Sequence, residues 1–541
     1  SEKEIFNAAE AMWFSKNGSY LAVASFNDTL VESAVFPYYG DPNDFDNQYP
    51  EMITFKYPKA GRRNPNVELR VFKLKELDGE PMYIKAPVDV VGNDYILGRV
   101  NWASDNNVIV LWLNRRQSIS VLMNCDLKNN ACKVLKEQSE PNGWIDIREP
   151  LFDSNGTRMI EIQPQLYENQ RYMHVTLFDF NTLETIDLTP GNSTVTDILG
   201  WDLDKDKVFF IASPGLEPWQ RQLWSVYNGT IFCMTCAQAA CHTVEGILLR
   251  LIIITILQNN GFRLLTDNAR LVEKLNEYKL PMVLYNKMPI LDGVQAHIKL
   301  QLPPVMEDGR KYPMIVRVYS GPGTTRVKDN YDLGMSCYLS GNRSFIVASI
   351  DVRGSGVMGV ESMHALNKAL GTAEITDTLE TIRLMTVLVH LLKTYSFIDP
   401  NRVGVWGWSY GGYATTMMLV QDDQKLLACG AAVAPVTSWL YYDSIYTERY
   451  MDTPQENLEG YQRADLMSKA NKMRGRKFLI VHGTGDDNVH FQHSIQFAKE
   501  LQRADIDFEQ MTYADENHSL RGVSRHFYHT LDRFWSDCFN L

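Results

Sequence analysis

The chain changes its rhythm once. Up to about residue 270 the apolar residues come in short runs separated by polar turns, as expected of short strands. One local pattern recurs there: an aromatic residue, a polar turn, then an apolar strand. It reads Trp13-Phe-Ser-Lys-Asn-Gly-Ser-Tyr20-Leu-Ala-Val, and returns as Trp102-Ala-Ser-Asp-Asn-Asn-Val108-Ile-Val. It returns again as Phe152-Asp-Ser-Asn-Gly-Thr-Arg-Met159-Ile and as Trp201-Asp-Leu-Asp-Lys-Asp-Lys-Val208-Phe-Phe. The aromatic positions lie 89, 50 and 49 residues apart. A period near fifty with one doubled interval predicts propeller blades of four strands each, about five or six of them by residue 270. The next copy is due near 250, where the apolar run Ile247–Leu257 stands with neither aromatic nor turn.

From about 280 the pattern predicts strands alternating with helices. Pro313–Tyr319 and Ser344–Asp351 are continuous apolar runs of buried-strand type. A helix is expected over Ala373–Tyr395, a strand over Arg402–Trp406, a helix from Tyr410, strands over Lys477–Val481 and Phe508–Tyr513, and a last helix over Arg525–Phe539. Such alternation predicts a mostly parallel sheet covered by helices on both faces. The expected organisation is a partial β-propeller over 1–270 and an α/β-hydrolase domain over 271–541.

Composition narrows the function classes. With 45% apolar and 22% charged residues the 541-residue chain excludes wholesale disorder, collagen and coiled coil. A net charge of −12 without a basic tract makes nucleic acid and anionic membrane poor partners. The longest apolar run, Gly246–Leu257, has twelve residues including Arg250 and is too short to span a bilayer. The eight cysteines show no Cys/His spacing suited to zinc, so no metal is expected. Cys233 and Cys236 have CxxC spacing outside a redox-type βαβ context, and disulfides are the preferred use of the set. Glycosylation triplets begin at Asn17, Asn27, Asn155, Asn192, Asn228 and Asn342, and also at Asn517. Together these features predict an extracellular chain, secreted or the ectodomain of an anchored protein. It opens Ser1-Glu2-Lys3-Glu4, without initiator Met or signal peptide, and reads as a mature chain or a fragment.

The chemistry sits in Gly407-Trp-Ser409-Tyr-Gly411, a G-x-S-x-G motif between a predicted strand and a predicted helix. Its glycines permit a sharp turn that lifts Ser409 above the sheet edge, with the Tyr410 amide aimed at a developing oxyanion. A serine hydroxyl needs a base, and the base needs an orienting carboxylate. In this fold class the chain order is Ser, Asp, His. Asp486, just beyond a strand end, is the first choice for the acid and Asp487 the second. His518, between the last strand and the last helix, is the choice for the base over His490 and His482.

Trp406–Tyr413, Tyr441–Tyr450, His482–His490, Asp351-Val-Arg-Gly-Ser-Gly356, Ala24–Thr29 and Tyr57–Gly61 together resemble the dipeptidyl peptidases of the prolyl oligopeptidase family. The resemblance covers nearly the whole chain and is densest over 313–541. It implies an eight-bladed propeller on an α/β-hydrolase, no cofactor, and release of X-Pro or X-Ala dipeptides from peptide N-termini. It implies that Tyr319 joins the Tyr410 amide in the oxyanion hole. Val436, Trp439, Tyr442, Tyr446 and Val489 would form the proline pocket, and Asn488 would bind a substrate carbonyl. It further implies the disulfides Cys125–Cys132, Cys233–Cys236 and Cys429–Cys538, peptide substrates with Pro or Ala at the second position, and a homodimer.

The chain departs from the family in three places. Where the family has three successive glutamates whose adjacent pair holds the substrate ammonium, this sequence has Glu2-Lys3-Glu4. Glu4 matches the second functional glutamate, Lys3 replaces the first, and Glu2 is the candidate substitute. Near 242–258 the usual blade sequence and the partner of Cys241 are missing, which leaves Cys241 and Cys337 unpaired. Extra residues, Thr386–Leu392, precede the nucleophile strand. These departures read as an incomplete or irregularly spliced chain. Two alternatives to a dipeptidyl exopeptidase therefore stay open: a post-proline endopeptidase or broader hydrolase, because the N-terminus clamp is altered, and a catalytically impaired binding or scaffold homologue.

Overall fold

The computed structural model describes residues 5–6, 8–76, 79–236, 269–330, 332–387 and 395–541. Glu2, Lys3, Glu4, Cys241, the run Ile247–Leu257 and residues 388–392 of the extra segment lie outside the described residues.

Four antiparallel four-stranded sheets follow one another over Met12–Cys233. The repeated aromatics fall in equivalent places: Trp13, Trp102, Phe152 and Trp201 each lie in the first strand of a sheet, and the polar turn leads into the second. The doubled interval is not a hidden blade. Between the second and third strands of the first sheet, Tyr20–Asn27 and Asn66–Lys73, the chain leaves as a separate hairpin, Ser33–Tyr38 paired with Glu51–Lys56. That arm lengthens the first interval, so four blades appear among the described residues where the spacing predicted five or six. Side chains alternate along each strand, and neighbouring sheets bury their apolar faces against one another, as Val108, Val110 and Trp112 do with Ala22 and Leu69.

The second half is an eight-stranded sheet. Its spatial order is Met282–Pro289, Gln295–Leu302, Ile346–Asp351, Tyr312–Val318, Ile398–Trp408, Cys429–Val433, Lys477–Gly483 and Glu509–Tyr513. The first three are antiparallel neighbours and the rest run parallel. The central strands are buried on both faces, which explains their unbroken apolar runs. The helix expected to reach Tyr395 is helical over Ala373–Thr386, and Tyr395 lies in a turn, where its hydroxyl accepts from the Asn286 amide at 2.7 Å. Helix Tyr410–Gln421 covers one face of the sheet, and Ser524–Phe539 covers the other through Phe527, Leu531, Phe534 and Trp535. A Cβ at residue 404 would lie 2.8 Å from the Trp535 ring, so glycine there lets the indole lie on the strand. Among the described residues no helix is long and apolar enough to cross a membrane.

The structure forms the disulfides Cys125–Cys132, Cys233–Cys236 and Cys429–Cys538 and leaves Cys337 free. The third ties the last helix to a central strand. Trp535 is fully buried over that same strand layer, so Trp535→Ala is expected to destabilise the fold by about 3–5 kcal/mol, read as an earlier urea-unfolding midpoint.

Candidate active site

The nucleophile elbow is built by crowding. Strand Ile398–Trp408 ends at Ser409, which has φ 62° and ψ −120°, and helix Tyr410–Gln421 begins at once. A Cβ at 407 would sit 2.4 Å from Gly411 backbone, and one at 411 would sit 2.4 Å from the Val318 carbonyl oxygen. Only glycine fits at either place, so both glycines of the motif have a steric cause. The Ser409 amide donates to the Val433 carbonyl at 2.9 Å, and its carbonyl accepts from Gly412 and Tyr413 at 2.9 and 3.1 Å. The positive φ is thus fixed from both sides, a strained geometry of the kind that concentrates at functional sites.

Asp486 follows the end of strand Lys477–Gly483 and is 1% exposed. Its Oδ2 accepts from His518 Nδ1 at 2.7 Å and from His482 Nε2 at 3.1 Å. Its Oδ1 accepts the amides of Asn488 and Val489 at 3.0 and 2.9 Å. Burial pushes this carboxyl up, but the hydrogen bonds and charges of His482 and His518 outweigh it and hold the group well below the usual carboxylate range. An ionised Asp486 fixes the proton of His518 on Nδ1 and leaves Nε2 with a lone pair able to accept one. His482 Nε2 also faces the Val489 carbonyl at 2.7 Å, so that nitrogen carries its proton, and Nδ1 accepts from the Ser494 hydroxyl at 2.7 Å. His482 is thereby saturated as a support for Asp486. His490 packs against Tyr57 and Phe55, where burial lowers it to about 4 and keeps it neutral. Asp487 is exposed. The Trp408 indole donates to the His518 carbonyl at 3.0 Å, which ties the His518 loop to the residue before Ser409.

The aromatic cluster lies beside this site. Trp439 and Tyr446 stack with centroids 6.1 Å apart and planes 13° apart, and Tyr442 stands edge-on to both. Val436 and Val489 are buried nearby. The Tyr442 hydroxyl donates to Asn488 Oδ1 at 2.7 Å, which leaves the Asn488 amide hydrogens for another acceptor. Tyr319 follows strand Tyr312–Val318, with its ring centroid 6.1 Å from that of Tyr410. The Arg326 guanidinium lies over the Tyr319 ring at 4.8 Å, and both line a cavity of about 860 Å³ with Arg148, Trp144 and Tyr450. Of the clamp, Glu2, Lys3 and Glu4 lie outside the described residues, but Ile5 packs on the cluster that contains Ile445, one residue before Tyr446.

Residues 1–246 match the model of the dipeptidyl peptidase IV N-terminal region, and 331–541 match that of the prolyl oligopeptidase family. A venom dipeptidyl peptidase 4 of Vespa velutina is 38% identical over all of this chain and 72% of its own length. The chain belongs to the prolyl oligopeptidase family, in its dipeptidyl peptidase IV branch. The dipeptidyl peptidase 4 of Felis catus is 33% identical over all of this chain and 74% of its own. The crystal structure of Porphyromonas gingivalis dipeptidyl peptidase 4 superposes with a TM-score of 0.85 at 26% identity, covering 99% of this chain and 75% of that one.

Sequence reasoning missed the devices that hold helix Ser444–Met451, which carries Tyr446. Asp443 caps it by accepting the Tyr446 amide at 2.9 Å. Buried Glu448 accepts from Gly61 at 2.7 Å and from Arg115 at 2.5 and 2.7 Å, while Arg116 pairs with Asp452 at 2.7 Å. Only spatial proximity marks these propeller residues, since Arg115 and Glu448 stand 333 positions apart. The clearest check on the acid is Asp486→Asn, whose amide would reverse the His518 tautomer. It is expected to lower kcat by about 10⁴ with KM little changed, in steady-state amide hydrolysis.

Proposed function

We propose that this chain is a serine exopeptidase that releases X-Pro or X-Ala dipeptides from peptide N-termini, with a propeller over 1–270 and the hydrolase over 271–541. The observation that carries the reading is the 2.7 Å bond from His518 to buried Asp486, on a loop tied through Trp408 to the Ser409 elbow. Ser409 Oγ attacks the carbonyl carbon of the second residue while His518 Nε2 takes its proton. The oxyanion is held by the Tyr410 amide and the Tyr319 hydroxyl. Collapse breaks the C–N bond, and the departing amine takes the proton from His518. Water, deprotonated by the same imidazole, then attacks the acyl-serine, frees the dipeptide and restores Ser409.

The flat walls of Trp439, Tyr442 and Tyr446, with Val436 and Val489, suit a compact proline ring or an alanine methyl and exclude long side chains. Asn488 donates to the carbonyl of the first residue. Glu4, with Glu2 in place of the glutamate that Lys3 displaces, holds the free ammonium, and each such contact contributes about 1.5–3 kcal/mol. The packing of Ile5, the residue after Glu4 in sequence, on the cluster that contains Ile445 supports a clamp role for this segment. An extracellular location, secreted or as an ectodomain, is supported by the three disulfides and by the exposed sequon residues Asn17, Asn27, Asn155, Asn192, Asn228 and Asn342. A homodimer through the arm hairpin is supported by exposed Phe45 and Tyr49 at its tip.

The test is hydrolysis of a Gly-Pro chromogenic amide. Turnover is expected to fall at least about 10³-fold in Ser409→Ala and about tenfold or more when the substrate amine is acetylated. Equal rates on free and acetylated substrate would instead establish the endopeptidase reading. No turnover by folded protein that also fails to react with a fluorophosphonate would establish the scaffold reading.

A further inference from the structure

Tyr410 meets the reaction through its amide, yet its side chain turns inward and is 2% exposed. Its hydroxyl donates to Glu374 Oε1 at 2.8 Å. Glu374 is fully buried at the start of helix Ala373–Thr386. Its Oε1 also accepts the Gly371 amide at 2.6 Å, and its Oε2 accepts the Thr372 amide at 3.1 Å. Among the described residues no Lys, Arg or His forms an ion pair with it. A buried carboxylate held by neutral donors alone is a costly choice for merely starting a helix, which a buried amide or an exposed serine does more cheaply. Burial pushes its carboxyl up to about 6.

The phenol it grips is the hub of the site. The Tyr410 ring lies 6.1 Å from Tyr319, 5.5 Å from Trp439 and 5.5 Å from Tyr413. One side chain therefore sets the distance between the first oxyanion donor, on its own backbone, and the second, on Tyr319, while backing the wall of the proline pocket. Oxyanion donors act only within a few tenths of an ångström of 2.7–3.1 Å from the oxygen. An anchor at the far end of the ring fixes χ1 and χ2, and with them the seat of the Cα that carries the amide. Gly371 keeps the anchor close, because a Cβ there would meet the Tyr413 hydroxyl at 2.2 Å.

We propose that Glu374 is a positioning residue of the oxyanion hole, acting through the Tyr410 hydroxyl on the Tyr410 amide and the Tyr319 ring. The inference rests on the proposed roles of Ser409, Tyr410 and Tyr319. Glu374→Gln keeps the volume but sets an NH₂ group against one of three donors. It is expected to lower kcat about tenfold, with KM for the Gly-Pro amide within about twofold. Tyr410→Phe removes one oxygen and is expected to give the same loss, and the double variant to lose no more than either single one. Affinity for a Gly-boroPro adduct should fall in step with kcat, while affinity for the product Gly-Pro stays unchanged. Wild-type kcat in folded Tyr410→Phe overturns the inference, and so do losses that multiply in the double variant or a loss confined to KM or to the unfolding midpoint. Should Glu374→Gln fail to fold, Tyr410→Phe decides alone. Ser409→Ala separates the layers: if it keeps turnover, the proposed reaction fails. If it is inactive while Glu374→Gln and Tyr410→Phe both behave as wild type, only the role of Glu374 fails.

Discussion

One buried charge organises the site. Asp486 is removed from water at the end of a parallel strand, and such a charge persists only if every lone pair is used. It accepts from two imidazoles and two backbone amides, and each of those donors is a part of the site or its support. The His518 bond orients its imidazole. The Asn488 and Val489 amides curl the loop, in which Asn488 meets the Tyr442 hydroxyl and Val489 is buried. The His482 bond fixes the loop to helix Gln492–Arg503 through Ser494. Orientation of the His518 ring and the course of the loop through Asn488 and Val489 thus go with satisfying one carboxylate.

The propeller acts on the same pocket from the other side. Segment Tyr57–Gly61 runs along helix Ser444–Met451, with the Ser444 amide donating to the Pro58 carbonyl at 2.9 Å and the Ala60 amide donating to the Tyr442 carbonyl at 3.2 Å. The Tyr57 hydroxyl donates to the Asn488 carbonyl at 3.0 Å, and Gln117 donates to the Ile445 carbonyl at 2.7 Å. Two residues expected to touch substrate, Tyr442 and Asn488, are therefore fastened by the propeller as well as by the hydrolase. Arg115 extends this tie to Asp94 and Glu448 at 2.5 Å each. A charge-assisted fork of this kind resists sliding of the two halves more than apolar packing does, because its geometry is directional.

Legibility in the sequence followed the range of the interaction. The elbow could be read at once because its constraint is local: two glycines, a strand before and a helix after. The blade repeat was also legible, since a strand–turn–strand unit carries its own pattern. The 89-residue interval holds an inserted arm hairpin, which has the same alternating grammar as a blade, and four blades stand among the described residues. The expected helix reaches Tyr395 in the apolar pattern, whereas among the described residues it is helical over Ala373–Thr386 and Tyr395 lies in a turn, its hydroxyl accepting from Asn286.

What the sequence determined by itself was the class of chemistry: a strand-to-helix serine, a carboxylate and a histidine in the order that one fold class uses, followed by an aromatic cluster. How each candidate carboxylate and histidine is placed was decided in three dimensions. Asp486 and Asp487 are adjacent in sequence, yet one points inward to four donors and the other is exposed. His482, His490 and His518 are equal as letters, and tertiary contacts make the first a support of Asp486, the second a buried packing residue and the third the partner of Asp486 that we propose as the base. The anchors of the pocket and of Tyr410 belong to the same category. Glu448 and Glu374 acquire roles only when burial leaves their charges no water, so that the groups brought beside them, from Arg115 to the Tyr410 hydroxyl, become the only available partners.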